Sequence, residues 1–231
     1  MAEATLVLVC KRPGLGMGKQ RLAANLGQEA ANRVAEALLA CALEDARAWP
    51  GPVVIAPAHW KDYAWAEALL AEVHPKGYVQ PQVEGNLGQR LNTLDSELRA
   101  VGLEKLVYIG SDAPALGAGN YAAASEALEC HDTALAPSSD GGVVLMASRK
   151  RWPPLADLPW STACLGIALA DCCRAADHSV AILPHGFDVD EKDDLARLII
   201  SLSSDRRPAR RALHELVSHL VQFNEMDHVQ F

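Results

Sequence analysis

The chain has 231 residues, half of them hydrophobic, and a formal net charge of −8. That apolar fraction excludes intrinsic disorder, the lack of any 18-residue uninterrupted apolar run argues against a membrane span, and the acidic balance rules out DNA or RNA as the default partner. No repeat, low-complexity linker or composition break divides the sequence, so one domain over residues 1–231, with a sizeable core, is the expectation.

Thr5-Leu-Val-Leu-Val-Cys10 reads as a buried first strand. The opening residues lack the basic region, long apolar stretch and small-residue cleavage site of a signal peptide, which predicts a cytoplasmic protein. A helix follows over 28–49, with apolar positions at Val34, Leu38 and Leu39 and a stop at Pro50-Gly51-Pro52. Val53 to Ala56 predicts strand two, 63–73 a helix, 77–80 a short extended piece and 87–100 a further helix.

Residues 105–110 form the clearest buried strand, ending directly in Ser111-Asp112-Ala113-Pro114. A helix over 120–129 leads to a strand over 133–136. The turn Ser138-Ser-Asp-Gly-Gly142 then joins a strand over 143–146, which suggests a hairpin or antiparallel pair. Ser161-Thr162 look like the cap of a helix over 163–175, and 180–183 is another strand. Phe187-Asp-Val-Asp190 introduces a helix over 191–203, and a last amphipathic helix covers 208–223. Short apolar runs alternating with helices are the mark of βα units around a mostly parallel sheet.

Four motifs have the residue types for chemistry. The segment from Lys11 to Arg21, KRPGLGMGKQR, places Gly14, Gly16 and Gly18 among Lys11, Arg12, Lys19 and Arg21 directly after a buried strand. Glycines let backbone N–H groups approach an anion and the cations add charge, so the loop favours phosphate binding, although it is neither a P-loop nor a dinucleotide fingerprint. Asp112 lies where open α/β sheets bind ligands, at a strand's carboxyl end, but capping of the turn beside Pro114 fits its spacing equally. Asp188 and Asp190 alternate in an extended segment and could share a divalent cation, while Asp190 also suits a helix N-cap. Asp140-Gly-Gly142 is either a plain hairpin turn or a place where backbone meets a ligand. Eight histidines show no metal-ligand spacing. Six cysteines without CxxC pairs predict reduced, mostly buried thiols, and the run Arg206-Arg207-Pro208-Ala209-Arg210-Arg211 reads as a solvated helix start.

Taken together and in order, Lys11-x-Pro-Gly-x4-Lys19-x-Arg21-Leu22, Gly85-Asn-Leu-Gly88-x-Arg90-Leu91, Gly110-Ser-Asp-Ala-Pro114, Pro137-x2-Asp140-Gly-Gly142, Pro159-Trp-Ser-Thr162 and Asp188-Val-Asp190-x3-Asp194-Leu195 resemble the DUF2064 group of bacterial proteins. That group, often labelled glycosyltransferase or selenodomain-associated transferase, belongs to the GT-A nucleotide-diphospho-sugar transferase superfamily, with the molybdenum cofactor guanylyltransferase a relative in the same fold. The resemblance implies a Rossmann-like αβα sandwich with a mixed, mainly parallel sheet that binds an activated nucleotide and Mg²⁺ or Mn²⁺. It also implies phosphate contacts from Lys11, Gly14, Gly16, Gly18, Lys19, Arg21 and Ser111, metal ligation by Asp112 with Asp188 or Asp190, and an acceptor side at Asp140. Trp160, Ser161 and Thr162 would form the cleft floor.

The implied reaction is metal-dependent transfer from a nucleotide-activated donor, a nucleoside diphosphate sugar, to a small-molecule acceptor. Asp112, Lys19 and Asp140 would be its catalytic groups. A nucleotidyltransferase joining an NTP to a phosphorylated acceptor is the alternative. Family members usually carry Lys-Thr-Arg at Lys19-Gln20-Arg21, an aspartate at Asn86 and a tyrosine at Val143. Those departures motivate a third reading, a non-catalytic nucleotide-binding protein.

Charge is distributed unevenly. Residues 1–22 hold four cations against Glu3 alone, while residues 188–194 hold five carboxylates against Lys192. A fold that brings these segments together would set cations and carboxylates around one anionic ligand.

Overall fold

The computed structural model describes residues 3–14, 18–74 and 77–227, with side chains through residue 222. Among these residues seven strands form one sheet: β1 (Thr5–Cys10), β2 (Val53–Pro57), β3 (Tyr78–Val79), β4 (Leu106–Ile109), β5 (Thr133–Pro137), β6 (Val143–Ser148) and β7 (Val180–Ile182). Their order is β3-β2-β1-β4-β6-β5-β7, and β6 alone runs antiparallel to both of its neighbours. The expected antiparallel pair across the Ser138–Gly142 turn is present, with a register shift at Ala136/Pro137.

The central strands are apolar on both faces because helices cover both, as parallel sheets require. Leu6, Val7 and Leu8 are wholly buried; each such side chain contributes roughly 1.5–3 kcal/mol of burial. Side chains alternate between two cores. Leu6, Leu8, Ile55, Val107 and Ile109 meet α2 (Gln28–Ala48), α3 (Tyr63–Val73) and α5 (Ala118–Cys130). Val7, Val54, Leu106, Tyr108 and Met146 meet α4 (Leu87–Ala100) and α6 (Leu165–Ala175). A third cluster joins α2 to α1 (Gln20–Leu26), α7 (Lys192–Leu202) and α8 (Pro208–Asp227).

Helix boundaries follow local chemistry. The chain leaves α2 at Trp49, which is extended ahead of Pro50 as the residue before a proline must be. Asn86 caps α4 by accepting from Gln89 N at 3.0 Å while Gln89 Oε1 accepts from Asn86 N at 2.9 Å, a reciprocal capping box. Its Nδ2 donates to Ala156 O at 3.0 Å. An aspartate could cap the helix but could not make that last bond, so the departure at Asn86 has a structural use.

Two expectations are corrected. Ser161 and Thr162 do not start a helix at 163: Ser161 has φ 62° and α6 begins at Leu165 behind Cys164. Thr162 Oγ1 donates to Pro159 O at 2.7 Å and accepts from Cys164 N, holding a turn ahead of the helix. The arginine run is a solvated helix start only in part: Arg206 and Arg211 are exposed, but Arg210 is fully buried. Arg210 bonds Asp45, Glu44 and Pro114 O, and Arg207 bonds Asp45 and Asp205, tying α8 to α2. A buried guanidinium is tolerable only with such complete pairing.

The cysteines form no disulfide, and Cys10, Cys41 and Cys173 are buried while Cys130 and Cys164 are exposed. Among the described residues no helix is long and apolar enough to cross a membrane.

Candidate active site

Three kinds of connection converge at one rim of the sheet: the loops leaving β1 and β4, the hairpin turn between β5 and β6, and the segment after β7. They enclose a cleft of about 660 Å³, the size of a small-molecule site. Lys11, Gly18, Lys19, Arg21, Ser111, Asp112, Asp140, Asp188 and Asp190 all line it. Gly14 is not among the lining residues, and Gly16 lies outside the described residues.

Lys19 is the hub. Gly18 at φ 78° and Lys19 at φ 45° turn the chain sharply into α1, whose Ala23 N donates to Lys19 O at 2.8 Å. A left-handed lysine costs of order 1 kcal/mol, and ion pairs at its tip offset that strain. Lys19 Nζ lies 2.6 Å from Asp190 Oδ1 and 3.4 Å from Asp112 Oδ2. Burial pulls its pKa down, but attraction to Asp112 and Asp190 outweighs burial and holds it above the ordinary lysine value. Lys19 is therefore a fixed positive charge rather than a proton carrier.

Asp112 follows β4 through Gly110 and Ser111, and its carbonyl accepts from Val189 N at 2.9 Å. That bond sits between Asp188 and Asp190 and fixes the acidic segment against the β4 loop. Asp188 Oδ1 accepts from the buried Ser138 hydroxyl at 2.7 Å. Burial raises the Asp188 pKa, the Ser138 bond opposes it, and repulsion from Asp112, Asp140 and Asp190 adds to the rise. Asp190 is not the cap of α7. The Asp194 carboxylate instead accepts from Asp190 N and Glu191 N, at 2.8 and 2.7 Å, leaving the Asp190 side chain to the cleft.

Asp140 Oδ1 accepts from Gly142 N at 2.9 Å and shapes the hairpin turn. Gly141 at φ 88° is required there, since a Cβ would lie 2.0 Å from Ala163 O. The turn is bound to the start of α6 by Gly166 N donating to Gly141 O at 2.8 Å. Arg21, at the outer lip, pairs with Glu191 at 3.2 Å, and Lys11 is exposed without an ion pair among the described residues.

The donor set suits a hard divalent cation. Asp188 feels repulsion from Asp112, Asp140 and Asp190, and the half-buried Lys19 ammonium pairs with Asp112 and Asp190, which leaves negative charge and oxygen ligands in excess. Among the described residues no three His, Cys, Asp or Glu side chains converge into a complete metal-binding group. Such a donor set fits a hard divalent cation that takes one or two carboxylates and completes its shell with ligand phosphates and water.

Sequence reasoning missed three contributors. Ser138 orients Asp188 from 50 residues away, and no local pattern announces that. Arg90 and Gln82 also line the cleft. Arg90 appears in a motif but carries no chemical signature there, and Gln82 is a lone amide between Pro81 and Val83.

The fold has solved counterparts. A protein of Desulfovibrio desulfuricans G20, provisionally described as a nucleotide-diphospho-sugar transferase, superimposes with a TM-score of 0.83 at 23% identity, over 97% of this chain and 99% of that one. The 4-diphosphocytidyl-2C-methyl-D-erythritol synthase of Anaerococcus prevotii DSM 20548 gives 0.53 at 10% identity, over 84% and 94%. A CMP:2-keto-3-deoxy-manno-octonic acid synthetase complexed with CTP gives 0.52 at 12% identity, over 85% and 97%. No curated protein matches the chain. The architecture is thus the GT-A-type αβα sandwich with a mixed, mainly parallel sheet. More narrowly, the family described as "Uncharacterized protein conserved in bacteria (DUF2064)" matches residues 38–162, over half of the sequence, and the chain belongs to it.

Proposed function

We propose that the protein is a transferase using a nucleotide-activated donor, and that its reaction is glycosyl transfer from a nucleoside diphosphate sugar to a small-molecule acceptor. One observation carries this reading: Lys19, bracketed by Asp112 and Asp190, faces a cleft formed at the carboxyl ends of parallel strands. A permanent cation beside paired carboxylates is what a bound diphosphate with its counter-ion needs.

The donor phosphates lie over the loop after β1, where Lys11 and Lys19 oppose their charge. Asp112 with Asp188 or Asp190 would hold Mg²⁺ or Mn²⁺, which when bound stabilises negative charge on the leaving diphosphate. The acceptor hydroxyl enters from the β5–β6 side. Its oxygen bonds to the anomeric carbon as the bond from that carbon to the phosphate oxygen breaks, and the electron pair leaves with the nucleoside diphosphate. Asp140, whose Oδ1 is held by Gly142 N, takes the acceptor proton on Oδ2. Lys19 remains protonated throughout and lowers the cost of charge on the departing phosphate.

Nucleotidyl transfer is the second reading, supported by the fold shared with the CTP-complexed synthetase. The two differ in product. Purified protein is incubated with a panel of NTPs and nucleoside diphosphate sugars, with Mg²⁺ or Mn²⁺ and phosphorylated and hydroxylated acceptors. Nucleoside diphosphate release supports glycosyl transfer, and pyrophosphate release supports nucleotidyl transfer. Calorimetry with Asp112→Ala tests the site: metal-dependent nucleotide binding is expected to vanish, and unchanged binding refutes the assignment of Asp112.

A further inference from the structure

Two side chains that line the cleft, Gln82 and Arg90, hold polar atoms that the protein leaves without partners among the described residues. Gln82 is 6% exposed, and its Nε2 donates to Ala56 O at 2.6 Å, which fixes the amide orientation. Its Oε1 is buried and accepts no hydrogen bond among the described residues. Arg90, in the first turn of α4, has a buried Nε without an acceptor and no carboxylate partner among the described residues. Both residues line the cleft beside Leu87 and Leu91. Buried orphan groups cost ~1–3 kcal/mol each, and of the residues that carry them among the described ones, Gln82 and Arg90 line the cleft.

We infer that Gln82 and Arg90 read the polar edge of the donor's nucleobase, and that they select an oxo-base with a ring N–H beside a carbonyl, guanine or uracil. This rests on the nucleotide-donor reading above. A phosphate is the wrong occupant here, because Gln82 Oε1 would face its oxygens and leucines would border it. A flat heterocycle with one donor and one acceptor meets both orphans and both apolar side chains. The choice of base follows from the fixed amide. Adenine and cytosine set their exocyclic N–H beside a ring nitrogen rather than a carbonyl, and the NH₂ with which the glutamine could read adenine unaided is committed to Ala56 O. What remains is an acceptor for a base N–H and a guanidinium donor, whose preferred base partner is a carbonyl oxygen.

Calorimetry on the full chain with Mg²⁺ tests this using GDP, UDP, ADP, CDP and inorganic pyrophosphate. GDP or UDP is expected to bind at least about 10-fold more tightly than ADP and CDP, since a buried acceptor left unpaired penalises the wrong base. Gln82→Met should weaken the preferred nucleotide by about 10-fold or more while changing pyrophosphate affinity less than about 2-fold. Analogues of the preferred nucleotide methylated at the ring nitrogen (N1 of guanine, N3 of uracil) make the same test on the unaltered protein, with the same loss expected. Preference for ADP or CDP overturns the inference but leaves the donor reading standing. So does equal binding of the methylated analogue, or an equal loss for pyrophosphate in Gln82→Met. Failure of every nucleotide to bind the unaltered protein overturns both.

Discussion

Replacing Arg210 with methionine removes the cation on which the α8–α2 junction is built. The guanidinium is fully buried, giving Nη2 to Asp45 Oδ2 at 2.5 Å, Nη1 to Glu44 Oε2 at 2.9 Å and Nε to Pro114 O at 3.2 Å. Methionine fills much of the same volume, so the loss is mainly electrostatic. Removing one partner of a buried pair costs about 3–5 kcal/mol, because the other charge stays behind. Asp45 retains Arg207 Nη1 at 3.0 Å and the Tyr121 hydroxyl at 2.7 Å, and Glu44 is near enough to the surface to turn outward. These place the expected loss near the lower end, about 3 kcal/mol, or roughly 6–12 °C in Tm for a chain of this size. Urea unfolding followed by far-ultraviolet circular dichroism measures it, with an unchanged m-value expected. Arg211→Met is the matched control. Arg211 is exposed and lies 3.9 Å from Glu215, so its loss should stay below about 0.5 kcal/mol. A loss under about 1 kcal/mol for Arg210→Met would mean that desolvation cancels the attraction, and the reasoning would fail.

Gly88→Ala would set a Cβ 2.1 Å from Leu155 O, forcing α4 off the 155–156 backbone; a loss of about 1–3 kcal/mol is expected, and an unchanged Tm contradicts it. Because Leu87 and Arg90 move with α4, nucleotide affinity measured by calorimetry should fall as well. Asn86→Ala removes the cap of α4 and the bond to Ala156 O, for about 1 kcal/mol in urea unfolding. The Asp132 carboxyl is held well below the ordinary carboxylate range, chiefly by the Ser179 backbone N–H, with Lys150, the Ser179 hydroxyl and Arg149 assisting against burial. A depressed carboxylate stabilises the fold fully above its unfolded value, near ~3.9, and loses that stabilisation as pH falls toward its folded value. Stability should therefore drop below about pH 4 in the unaltered protein and drop less in Asp132→Asn; identical acid limbs would argue against the assignment.

Much of the fold was legible because its strands are continuous apolar runs between strong breaks. The helices expected over 63–73 and about 87–100 form over those residues. The seven-residue α1 was missed because it buries only Leu22 and Ala23, too few for a periodic signal. Burial of Arg210 was illegible for a different reason: its partners Glu44 and Asp45 lie some 165 residues earlier, and charge run alone cannot distinguish an inward arginine from a solvated one. In the cleft, Lys19, Asp112, Asp188 and Asp190 stood out because cations and carboxylates cluster at strand ends. Gln82 and Ser138 did not, since a neutral amide and a hydroxyl matter here only through what surrounds them.

The reversed direction of β6 has a practical consequence for handling the protein. With six strands running one way and β6 the other, the β5–β6 hairpin reaches the same rim as the loops leaving β1 and β4, so the chemistry collects on one side. The far rim carries the turn from α4 into β4, where Val101 is exposed and nothing crowds Gly102. A fluorophore or affinity handle attached at that turn would report on the molecule or immobilise it with the cleft facing free solution.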